Sequence, residues 1–126
     1  MTVMVVDADE AALGRTLHDL KHVAPKARAA GFADAQDALR YIRHNRADVV
    51  IMETYIAGTD GFDLARKLRA ERPGLEVIYL TDSSAQAINA FEVNARWYLL
   101  KPLPVQTLRR VLETISPPAD PSNHGG

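Results

Sequence analysis

The 126 residues contain no cysteine. That absence excludes disulfides, thiolate metal sites and cysteine nucleophiles, and it suits a reducing compartment. There is no surplus of charge either: 15 Lys and Arg stand against 16 Asp and Glu, for a net charge of −1. A chain without a basic excess offers no footprint for nucleic acid or for an anionic membrane surface. No apolar run approaches the ~20 residues that a membrane span requires. Asp7 interrupts the apolar start too early for a signal peptide, so a cytoplasmic protein is expected. Glycine-rich phosphate-binding turns are missing as well. The first apolar run leads into Asp7-Ala8-Asp9-Glu10, which argues against a small flavin- or nucleotide-binding protein.

What is present is ordinary for a globular domain, with 47% apolar and 25% charged residues. The length suits one domain able to bury a core without crosslinks. Val3 to Val6, Val49 to Met52 and Val77 to Leu80 are short continuous apolar runs, as strands covered on both faces require. Trp97 to Leu100 reads as a fifth strand and Lys26 to Ala30 as a weak second one. Helical spacing appears between them. Leu13, Leu17, Leu20 and Val23 follow a capping Asp9; Ala35, Ala38, Leu39 and Ile42 follow Asp34. Gly58 to Gly61 reads as a turn before a third helix carrying Phe62, Leu64, Ala65 and Leu68, stopped by Pro73-Gly74. Ser83 or Ser84 is expected to cap a fourth helix with Ala87, Ile88 and Phe91 inward. Pro104 opens a last one with Val105, Leu108, Leu112 and Ile115 inward.

Five alternations of strand and helix predict an α/β domain: a doubly wound parallel sheet in the flavodoxin-like order 2-1-3-4-5 with five helices. Residues 1–115 form this domain. Residues 116–126, SPPADPSNHGG, lack large apolar side chains and read as a disordered tail or a truncated linker.

In such folds function gathers beyond the carboxyl ends of the strands. That rule selects Asp7, Ala8 and Asp9 after the first strand, Glu53 after the third, Thr81 and Asp82 after the fourth, and Lys101-Pro102 after the fifth. His18, His22, His44 and His124 show no ligand spacing and are expected in solvent. Arg66, Lys67, Arg69 and Arg72 read as a solvated helix face.

These residues carry a family resemblance. VMVVDADE, DVVIMETYIAGTDGFDLARKLR, VIYLTDS and FEVNARWYLLKPL resemble the successive motifs of response-regulator receiver domains. AFEVNA and YLLKP are especially similar to receivers that carry LytTR-type DNA-binding output domains. The resemblance implies two-component signalling without enzyme activity of its own. It also implies a magnesium site built from Asp7 and the Tyr55 backbone carbonyl, with Asp9 and Glu53 as further candidates. Glu53 falls on the phosphoacceptor position, Thr81 and Lys101 on the phosphoryl-contacting positions, and Tyr98 on the switch aromatic.

Three departures qualify it. Ala8 replaces a second metal-binding acid, Glu53 replaces the nucleophilic aspartate, and Ala57 replaces a loop proline. Magnesium takes few carboxylates, so losing one predicts weak binding or none. Glutamate carries its carboxylate one methylene further out, and ~1 Å of misplacement costs on the order of 10²-fold in a positioned reaction. The expected function is therefore a pseudo-receiver that works by protein–protein contact, with no cofactor. The alternative is a phosphoreceiver, working or constitutively active with Glu53 as a phosphomimic, from a DNA-binding regulator. The expected partner surface is helix 4, strand 5 and helix 5, marked by Trp97 and Arg109 and open to homodimers or heterodimers. Direct nucleic-acid or membrane contact is not expected.

Overall fold

The computed structural model describes residues 1–115. In chain order the elements are β1 (Thr2–Val6), α1 (Glu10–Val23), β2 (Arg28–Phe32), α2 (Ala35–His44), β3 (Val49–Met52), β4 (Tyr55–Ile56), β5 (Thr59–Asp60), α3 (Gly61–Glu71), β6 (Glu76–Thr81), α4 (Ala87–Glu92), β7 (Trp97–Leu100) and α5 (Val105–Glu113). Five strands pair in parallel in the order β2-β1-β3-β6-β7, which is the doubly wound arrangement the alternation predicts. The tail expected at residues 116–126 lies outside the described residues.

Side chains alternate across the sheet and build two cores. Met4, Val6, Val50, Met52, Val77 and Tyr79 face α2, α3 and α4. Val3, Val5, Val49, Ile51, Ile78 and Leu80 face α1 and α5. The central strands are thus covered twice, which explains their unbroken apolar runs.

The Gly58–Gly61 turn is more structured than expected. β4 and β5 form a hairpin across Ala57-Gly58, both at positive φ (46° and 86°). This is the sense of turn that matches strand twist. Proline, fixed near −65°, has no access to the φ of Ala57, so this loop conformation and a proline at position 57 are incompatible. Gly61 has a separate requirement. A Cβ there would lie 2.5 Å from the Glu53 carbonyl oxygen and 2.8 Å from that of Thr54, so only glycine lets α3 start against the end of β3.

Several expectations are corrected. The second strand runs from Arg28 to Phe32, two residues later than expected, because pairing with β1 sets its register from Thr2–Arg28 to Val6–Phe32. The fourth helix starts at Ala87 behind Gln86, which makes no capping bond; Ser83 Oγ instead accepts from the Ala85 amide at 3.2 Å. Its inner face is also different. Ala87, Ile88 and Phe91 are exposed, and Ala90 and Val93 are buried. The space beneath the helix is filled by Tyr79 and Tyr98, so small side chains face it. Arg69 reinforces this phase by donating to the carbonyls of Leu75, Val93 and Asn94. It is a clamp on the end of α4 rather than a member of a solvated face. Arg72 likewise donates to the Asn45 carbonyl at 3.2 Å, while Arg66 pairs with Asp63 on the surface. His18, His22 and His44 are exposed.

Candidate functional site

Three residues one step beyond three strands form the centre of the carboxyl rim. Each is held by a backbone bond that prolongs the ladder. The Asp7 amide donates to Phe32 O (3.0 Å), the Glu53 amide to Val6 O (3.1 Å) and the Lys101 amide to Thr81 O (2.7 Å). Their positions are therefore as fixed as the sheet itself. The Lys101–Pro102 peptide bond is cis.

The side chains converge. Lys101 Nζ lies 2.9 Å from Asp7 Oδ2 and 3.1 Å from Glu53 Oε1. All three side chains are shielded, with 22%, 10% and 15% of the surface of Lys101, Asp7 and Glu53 exposed. The remaining oxygens are engaged too. Asp7 Oδ1 accepts from the Asp9 amide at 2.9 Å, and Glu53 Oε2 accepts from the Thr54 amide at 2.8 Å and faces its hydroxyl at 3.4 Å. Burial alone would pull the Lys101 pKa down. The hydrogen bonds to Asp7 and Glu53, with their charges, outweigh it and raise the pKa above the usual lysine range.

The other expected residues surround this triad without joining it. Asp9 is the N-cap of α1, its Oδ1 accepting from the Ala11 (3.0 Å) and Ala12 (3.2 Å) amides. Ala8 is exposed beside it. Thr81 is buried at the end of β6, and Asp82 is exposed. Tyr55 projects from the hairpin, 65% exposed. Tyr98 lies on the α4 side of β7, 6.2 Å from the Tyr79 ring, and its hydroxyl donates to the Ser83 carbonyl. Burial raises its pKa, and the Glu53 charge adds to that. Sequence reasoning missed Thr54, whose contribution is chiefly a backbone amide, and Tyr79, whose buried hydroxyl donates to Gly61 O at 3.0 Å.

The donor set does not suit an octahedral magnesium ion. Two carboxylates reach the rim, an ammonium already bridges them, and the third acid is spent on a helix cap. No three His, Cys, Asp or Glu residues gather as a metal centre among the described residues.

On the expected partner surface, Trp97 Nε1 donates to Thr114 Oγ1 at 3.1 Å and the indole is 38% exposed. Arg109 is half-buried, and its Nε is enclosed with no hydrogen-bond partner among the described residues. Arg96, also exposed, donates to the Thr114 carbonyl at 2.7 Å, and Arg110 is exposed four residues before Thr114, on the same face of α5.

A doubly wound parallel sheet with acids, a threonine and a lysine on its carboxyl rim defines the structural class. Residues 3–113 match the response regulator receiver domain, and the chain belongs to that family, a signalling module rather than an enzyme. The sensory transduction protein LytT of Enterococcus faecalis is 29% identical over 117 residues, covering 92% of this chain and 48% of that protein. LytT of Bacillus anthracis is 31% identical over 115 residues, covering 87% of this chain and 46% of that protein. The chain thus spans about half the length of these relatives. The response regulatory domain of MrkE from Klebsiella pneumoniae superposes with a TM-score of 0.83 at 23% identity, over 92% of this chain and 95% of that one. Its likeness establishes the shared fold.

Proposed function

We propose that this receiver domain signals by protein–protein contact and does not accept a phosphoryl group. The observation that carries the reading is the state of the acceptor position. Glu53 stands where the family's nucleophile is an aspartate, and its carboxylate is turned onto Lys101 and the Thr54 amide. Beside it Ala8 supplies no carboxylate, and Asp9 is committed to its cap. A nucleophile one methylene out of line and a metal site short of a carboxylate weaken the same step, because the metal neutralises the group that the nucleophile must approach in line. Magnesium binding is at most weak on this reading.

Contact with partners falls on α4, β7 and α5, where Ile88 (76% exposed), Phe91 (86%), Leu100 (49%) and Trp97 are open to solvent. Arg110 and Arg96, both exposed, take the place of the half-buried Arg109 as charges on that face, and the partners include a second copy of the chain. A cytoplasmic setting fits a domain in which no helix among the described residues is long and apolar enough to cross a membrane. The test is intact-mass spectrometry of the full chain after incubation with acetyl phosphate and magnesium. No phosphoryl adduct is expected; an adduct mapped to Glu53 overturns the reading.

The contact between Glu53 and Lys101 favours a second reading, in which the glutamate imitates a phosphorylated acceptor in a DNA-binding regulator. One carboxylate carries −1, against about −1.5 to −2 for a phosphoryl group, so the imitation is partial. Glu53→Gln separates the two readings. It lowers association through the α4–β7–α5 face if the charge acts as a mimic, and leaves association unchanged otherwise.

A further inference from the structure

We infer that the Lys101 ammonium takes the place of a divalent ion on this rim, so that Asp7, Lys101 and Glu53 form a metal-independent lock joining the ends of β1, β3 and β7. The inference deepens the phosphorylation-independent reading above. Its starting point is the mismatch between the rim and a magnesium site.

Charge sets the first constraint. Asp7 and Glu53 supply two negative charges and Lys101 one positive, leaving the cluster at −1 with a cation already centred between the carboxylates at 2.9 and 3.1 Å. An incoming magnesium ion must sit beside that ammonium or expel it. Both are unfavourable where the groups are shielded from water, because like charges then repel through a low dielectric. The hydrogen bonds set the second constraint. Each carboxylate already has both oxygens engaged, Asp7 by Lys101 and the Asp9 amide, Glu53 by Lys101 and the Thr54 amide. Ligation would compete with bonds that fix the start of α1 and the segment after β3. The third constraint is position. The Lys101 amide is bonded to Thr81 O, so the backbone that carries the ammonium is held by the sheet.

The lock has a consequence for signalling. Lys101 follows directly on β7, the strand that carries Trp97, Tyr98 and Leu100. With the ammonium bound from within, the end of β7 keeps one position whatever the magnesium concentration. The partner surface is then constant, and its use is governed by the partner's abundance rather than by an ion or a phosphate donor.

The test is a thermal-unfolding titration of the full chain with magnesium chloride and no phosphate donor. A site with a dissociation constant near ~1 mM would shift the folding equilibrium roughly eleven-fold at ~10 mM magnesium, raising the melting temperature by about 5 °C. The wild-type chain is expected to show no such rise beyond what an equal ionic strength of sodium chloride gives. Lys101→Met leaves two carboxylates facing each other. It is expected to melt at least about 5 °C lower and to regain stability on adding magnesium. Where Lys101→Met does not fold, Lys101→Gln keeps a polar group on the rim and makes the same comparison. A magnesium-dependent rise in the wild type overturns the inference, and so does a lysine variant that stays indifferent to magnesium. Labelling by acetyl phosphate alongside magnesium-indifferent unfolding would sink the phosphorylation reading and leave the lock standing. The converse pair of results would do the reverse.

Discussion

The two ends of the response pathway in this domain are built in opposite ways. On the rim, Asp7, Glu53 and Lys101 are shielded, and each is bonded through both its backbone and its side chain. Around α4 the side chains that look most like core, Ile88 and Phe91, stand in solvent, and the helix begins without a capping side chain. Its anchors are few: Arg69 at the C-terminal end and the Tyr98 hydroxyl on Ser83 near the N-terminal end. Groups that would meet a small ion or phosphate are satisfied from within, whereas groups that would meet a protein are left unsatisfied.

Breaking the rim should cost most. Asp7→Ala removes the better-shielded partner of Lys101 and the acceptor of the Asp9 amide, and should lower stability by about 2–3 kcal/mol in urea unfolding. A loss below about 0.5 kcal/mol would mean that the triad contributes no more than an exposed ion pair.

Next is the clamp that holds α4. Arg69→Ala leaves the carbonyls of Leu75, Val93 and Asn94 without their donor, at an expected cost of about 1.5 kcal/mol. Hydrogen exchange should locate the damage, with faster exchange at the Asn94 and Ala95 amides, which bond back into α4, and little change at Asp7 or Glu53. Equal acceleration at both places would show that the two regions are one cooperative unit.

Alkaline pH should weaken both regions. Burial pushes the Tyr79 hydroxyl well above its usual range near 10, and the Asp60 charge adds to this. The Lys101 pKa is raised as well. Both groups hold their protons more tightly in the folded state than in the unfolded one. Their stabilisation is therefore complete below the unfolded pKa values, about 10–10.5, and is lost as pH rises through the folded ones. Melting temperature should fall as pH passes ~10, and Tyr79→Phe should make the fall shallower.

The hairpin between the two regions offers a smaller gain. Ala57 sits at φ 46°, a conformation that costs a residue bearing Cβ roughly 1–2 kcal/mol and glycine nothing comparable. After glycine's extra chain entropy, Ala57→Gly should raise stability by about 0.5–1 kcal/mol in the same urea assay. A loss would place the turn in another conformation in solution.

How much of this was legible in the sequence follows from the physical origin of each feature. β1, β3 and β6 were readable because burial on two faces demands continuous apolar residues, and Asp7, Glu53 and Lys101 were readable because they end such runs. β2 was displaced because Arg28–Phe32 is an alanine-rich edge strand whose limits come from pairing with β1 rather than from its own composition. The face of α4 was misassigned because a large apolar side chain signals burial only when there is room for it. Here Tyr79 and Tyr98, distant in sequence, fill the space, and Arg69 fixes the helix from another element. Thr54 escaped notice because a backbone amide has no residue code. Arg109 and Arg110 are adjacent letters, and only their burial in the folded chain, Arg109 half-buried and Arg110 exposed, shows which of them faces outward.

The smallest expected effect on stability is also the sharpest division between the two regions. Ile88→Ser and Phe91→Ser remove apolar side chains that already face water, so folding loses almost no buried surface and stability should change by no more than about 0.5 kcal/mol. Ala90→Ser, on the buried side of the same helix, changes far fewer atoms. It should cost more, because its hydroxyl enters the core beneath α4 without an assured partner. Association should follow the opposite order. If the exposed face of α4 is where partners bind, Ile88→Ser and Phe91→Ser weaken self-association or partner capture, measured by sedimentation at matched concentrations, while Ala90→Ser changes association only in proportion to its loss of fold. If both serine variants unfold early, Ile88 and Phe91 belong to the core as their sequence spacing suggested, and the open side of the comparison is lost. If they fold normally and associate normally, the apolar face is not the contact, and Trp97 and Leu100 on β7 are the next positions to change.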